Sequence, residues 1–79
     1  MQVVMKHETK PIKSGCMARS EQMGLAAHGF SEEAAAANLR RLIRVFLAPL
    51  EREGIAAEQL RAMGIRFTDE AGDTRIVLE

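Results

Sequence analysis

Apolar and polar positions first alternate along the chain and then fall into helical spacing. From Gln2 to Thr9, the side chains of Val3, Met5 and His7 fall on one side and those of Val4, Lys6 and Glu8 on the other, the period of a β-strand. Lys10-Pro11-Ile12-Lys13-Ser14-Gly15 breaks that pattern as a polar connector. Two short runs follow, Cys16 to Glu21 and Leu25 to Gly29, on either side of Gln22-Met23-Gly24. Glycine enters the left-handed region without a Cβ penalty, so Gly24 closes a hairpin between them.

The strongest pattern starts at Ser31. Its hydroxyl is an N-cap, and Glu32 and Glu33 put negative charge on the first turn, where the helix dipole favours it. Ala35, Leu39, Leu42, Ile43, Phe46 and Leu50 then recur in steps of three and four, which draws one apolar stripe along a helix. Pro49 predicts a kink or an end near Ala48, and Gly54 is the stop if the helix recovers.

Ala56 to Met63 reads as a second, short helix ended by Gly64. Ile65 to Asp69 and Thr74 to Leu78 are β-prone runs on either side of the turn residues Glu70-Ala71-Gly72-Asp73. They predict either a terminal hairpin or one strand with a loose end. The expected fold is α+β and two-layered, an antiparallel sheet packed against one long helix. Its order is β-β-β-α-α-β, with room for an extra terminal strand, in one domain over residues 1–79.

Composition narrows the function. The chain has 47% hydrophobic and 28% charged residues, as an ordered globular domain does. Eleven basic and eleven acidic residues cancel, which argues against tight, non-specific nucleic-acid binding. One cysteine, Cys16, leaves no disulfide within the chain and points to a reducing, cytoplasmic setting. No apolar run of signal-peptide or membrane-span length is present.

Candidate chemistry is sparse. His7, Cys16 and His28 are the only soft metal ligands, and their spacing matches no paired zinc motif. Cys16 would need His7 or His28 beside it to act as a nucleophile, and a lone strand cysteine is more often a small buried hydrophobe. No cofactor, metal or enzymatic activity is therefore expected. Arg40, Arg41 and Arg44 lie off the apolar stripe, as a solvated helix face or as contacts to an acidic partner or phosphates. The five methionines are dispersed and are expected to fill core gaps.

The stretch Gly15 to Ala34, with Asn38-Leu39 after it, resembles the HicB family of bacterial antitoxins. Gly24, Gly29, Ser31, Glu32, Glu33, Ala34, Asn38 and Leu39 fall into that family's frame of hairpin, glycine, Ser or Thr cap, Glu-Glu-Ala and Asn-Leu. Leu-Glu-Arg-Glu-Gly ending at Gly54 is similar to the close of the family's helix, so the resemblance spans about residues 1–54. The aromatic residue usual at the position of Cys16 and the proline usual in the hairpin turn are absent. The fold is often likened to part of an RNase H fold, but Glu8 and Glu21 are the only carboxylates on the first three strands, too few for that two-metal chemistry.

The resemblance implies an antitoxin domain that binds a small RNA-cleaving toxin of the HicA type and occludes its active face. No basic recognition element follows Gly54, so direct DNA binding is not expected. Two alternatives stand beside it: a stand-alone oligomerisation or adaptor domain, and a ribbon-helix-helix DNA binder. Leu25-Ala26-Ala27-His28-Gly29 lacks the polar base-reading side chains that the last of these needs. A domain this small gains little from its own core, so a homo-oligomer is expected, paired through Phe67, Ile76 and Leu78.

Overall fold

Ser31 opens the main helix as its sequence requires. The backbone there is extended, and Oγ accepts from the Ala34 N–H at 3.1 Å. The helix, α1 (Glu32–Arg52), buries Ala35, Leu39, Ile43 and Leu47. The computed structural model describes residues 1–70 and 72–79. In it, a four-residue step drifts slowly around the helix, so Leu47 joins the buried row. Leu42 and Phe46, expected in that row, stay 36% and 38% exposed at its margin.

Pro49 does not end α1, which runs three residues further to a C-cap at Glu53. A proline in a helix removes the hydrogen bond to the carbonyl four residues before it, here that of Val45. Val45 is 66% exposed, so water can serve that oxygen. The stop at Gly54 (φ +73°) uses two backbone bonds, Gly54 N–H to Glu51 O at 3.1 Å and Ile55 N–H to Leu50 O at 2.9 Å. The short helix α2 (Ala56–Ala62) ends in the same way, with Ile65 N–H donating to Leu60 O at 2.9 Å across Gly64.

The first predicted strand divides in two, β1 (Gln2–Met5) and β2 (Glu8–Ile12), with Lys6-His7 between them. The expected connector shrinks to Lys13-Ser14, because Lys10, Pro11 and Ile12 continue β2. Pro11 is tolerated since β2 is an edge strand, where a missing donor breaks no ladder bond. The hairpin expected around Gly24 forms from β3 (Gly15–Ser20) and β4 (Leu25–Gly29), with Gly24 at φ +67°.

The two C-terminal runs both become strands, β5 (Arg66–Thr68) and β6 (Arg75–Leu78), yet they form no hairpin. They flank β1, which pairs antiparallel with β5 and parallel with β6. Of the turn expected there, Ala71 lies outside the described residues. Two three-stranded sheets result, β5-β1-β6 and β2-β3-β4. The fold is α+β, with the long helix packed on strands.

The register places the three residues of the expected oligomer interface. Val3 stands between Phe67 and Ile76, and Met5 beside Leu78. Phe67, Ile76 and Leu78 thus share the covered face of Val3 and Met5. Ile76 is 5% exposed, and the other two pack half-buried against the same core. The Arg61 guanidinium covers the Phe67 ring at 5.3 Å from its centroid. Ile76 thus belongs to the interior, while Phe67 and Leu78 each keep part of their surface exposed. Met5 is fully buried, while Met1, Met23 and Met63 pack at the core margin. Met17, opposite Lys10 and His28, does not join that cluster.

Candidate functional site

Helix and strand approach most closely where β4 turns into α1. At Gly29 an added Cβ would lie 2.3 Å from Ala35 N and 2.6 Å from Ala34 C, so only glycine lets the backbones come this near. Asn38 closes the junction one turn later. Its Nδ2 donates to His28 O at 2.6 Å, and its Oδ1 accepts from Arg41 Nη1 at 3.0 Å. Gly29, Ser31 and Asn38 therefore act together as one strand-to-helix joint.

Phe30 sits at this joint and is 96% exposed. Beside it, Ile12, Ser14, His28 and Asn38 line an open cleft of about 310 Å³. Further along the same flank of α1, Leu42, Val45 and Phe46 present apolar side chains to solvent. Sequence reading missed Phe30 and Val45. The available signal was a large apolar residue next to a cap and another lying off the helical stripe.

The three arginines have different surroundings. Arg41 is turned to Asn38 on the β4 side. Arg44 lines a shallow cleft with Glu51, Asp73 and Thr74 near β6, and Arg40 is half-buried. On the open face of β2-β3-β4, Arg19 lies 3.4 Å from both Glu8 and Glu21. All three side chains are largely exposed, and such pairs contribute little to stability.

The soft ligands are also apart. The ring of His7 meets Glu79 O at 2.8 Å through Nδ1. Cys16 packs half-buried against the core opposite Pro11 and Gly29, while His28 is exposed opposite Met17. Among the described residues no group of three His, Cys, Asp or Glu side chains is placed to hold a metal ion. Among them too, no helix is long and apolar enough to cross a membrane.

No protein-family model matches the chain, and comparison with the curated proteins and with the solved structures gives no match.

Proposed function

We propose that the chain is a protein-binding domain of the HicB-like antitoxin kind, which covers the active face of a small RNA-cleaving toxin. The observation that supports this reading is the β4–α1 joint. The residues that carry the resemblance, Gly29, Ser31 and Asn38, each have a physical task there and meet at one place. A motif of this sort specifies a fold first, and activity follows from the surface it displays. That surface offers apolar side chains and shallow clefts suited to macromolecular contact.

Co-expression with the product of an adjacent short, basic reading frame tests the proposal. The expected outcome is a co-purifying complex and relief of growth arrest. Growth arrest unrelieved by the chain, with no complex in pull-down, overturns the antitoxin reading.

The alternative of a stand-alone oligomerisation domain is favoured by one specific feature, the bare outer edge of β4 beside the apolar flank of α1. The ribbon-helix-helix alternative is disfavoured, because β4 is already paired to β3 within the chain and is not free to form an intermolecular ribbon.

A further inference from the structure

We infer that the chain self-associates through a two-fold pairing of β4 with β4 of a second copy, sealed by the apolar flank of α1. This inference stands apart from the toxin reading and rests on four features of the molecule.

The first is that the edges are unequally protected. Exposed edges are templates for further strands, and charged residues or proline blunt them. Edge β2 carries Lys10 and Pro11, β5 carries Arg66, and β6 carries Arg75. Edge β4, Leu25-Ala26-Ala27-His28-Gly29, has no Lys, Arg, Asp, Glu or Pro.

Secondly, the backbone groups fit a specific register. In an antiparallel ladder alternate residues turn their N–H and C=O to the same side. The His28 oxygen is turned to Asn38, away from β3, so the polar groups of Ala26 face the open side as well. Gly24 N–H is already spent on Ser20 O at 2.9 Å. A two-fold axis at Ala26 sets Ala26 against its copy, so each satisfies the other. It sets His28 against Gly24, whose missing donor matches the acceptor that Asn38 has already taken.

Thirdly, the helices follow. α1 lies against β4 through the Gly29–Ala35 approach, so an axis that joins the strands also sets the two α1 helices side by side. The flank they turn to each other is the one bearing Asn38, Leu42, Val45 and Phe46, with Val45 66% exposed in the single chain. It is the same patch on both copies, as a two-fold interface requires.

The fourth feature is size. Phe30, 96% exposed, comes to lie opposite Gln22 and Met23 of the second copy, and a covered phenylalanine contributes ~150–250 Å². Together with the strand edge and the ~12 Å of helix between Asn38 and Phe46, the surface approaches the ~800 Å² per partner of a stable interface.

Mass by light scattering across a hundredfold dilution tests this with the protein alone, alongside three variants checked for native circular dichroism. Wild type is expected at twice the monomer mass. Ala26→Pro removes the donor at the axis, and Val45→Asp charges a side chain already exposed in the single chain. Both are expected to be monomers. Val77→Asp, on the other sheet, is expected to remain a dimer. A wild type that is monomeric at every concentration overturns the inference and leaves the flank to a different protein. A dimer that survives both Ala26→Pro and Val45→Asp overturns it equally.

Discussion

Asn38 Nδ2 donates to the backbone oxygen of His28 at 2.6 Å and so ties the second turn of α1 to the end of β4. The bond does more than satisfy an amide. It supplies an edge carbonyl with a donor from its own chain and fixes the angle at which the helix leaves the sheet. Asn38→Ala is expected to lower stability by about 0.5–1.5 kcal/mol, the net worth of one such hydrogen bond. Thermal unfolding checks this, and an unchanged midpoint would mean that the joint is held by packing alone.

Gly29 and Gly24 both border β4 but carry different constraints. At Gly29 a Cβ collides with the backbone of α1, whereas at Gly24 there is open space and only the positive φ resists substitution. Gly29→Ala is expected to cost about 1–3 kcal/mol or more, and Gly24→Ala about 1–2 kcal/mol. Urea midpoints of the two variants give the order, and a Gly24→Ala protein weaker than Gly29→Ala would contradict the close approach.

Ser31 contributes through its hydroxyl oxygen alone. Ser31→Ala is expected to destabilise by about 0.5–2 kcal/mol, while Ser31→Asp keeps an acceptor and stays near wild type. Equal losses in the two variants, measured by circular dichroism melts, would deny the cap.

Pro49 leaves a correctable weakness in α1. Pro49→Ala restores a backbone donor that Val45 O can use. A proline inside a helix costs ~3 kcal/mol against alanine, offset by ~0.4–1 kcal/mol of lost unfolded-state restriction. A gain of about 2 kcal/mol is expected in chemical denaturation, and a loss would mean that the proline ring itself serves the packing of the last turn.

Ile76 and Val77 are neighbours on opposite faces of β6, one 5% and the other 39% exposed. Ile76→Asp sets an unpaired carboxylate among Val3, Met5 and Leu47 and is expected to abolish the cooperative unfolding transition. Val77→Asp is expected to fold. Near-native melting of Ile76→Asp would show that the interior is assigned to the wrong face.

Local patterns were legible in the sequence wherever the cause is local. The hairpin at Gly24, the cap at Ser31 and the stops at Gly54 and Gly64 each depend on residues within a few positions of one another. The neighbours of β1 were not legible, since its partners come from the far end of the chain and no spacing records that. For the same reason Ile65 to Asp69 and Thr74 to Leu78 suggested a hairpin or one strand with a loose end, and no spacing showed that Phe67 and Ile76 flank Val3. Pro11 read as a breaker because the sequence does not say which strands are edges. At the candidate site, the arginines were visible as charge, but only the fold shows that Arg41 meets Asn38 while Arg44 lines the cleft with Glu51 and Asp73.

Placing β1 between β5 and β6 also sets an order of events during synthesis. Gln2 and Arg75 stand side by side, so β1 has no partner until β5 and β6 have been made. β2, β3, β4 and α1 are contiguous and can fold as a unit while β1 waits, with Val3, Val4 and Met5 held in no ladder. Closing contacts so distant in sequence is slow, and unpaired strands exposed in the interval are prone to aggregate. Yield in cells should therefore depend on how quickly β5 and β6 arrive, more than on the stability of the finished fold.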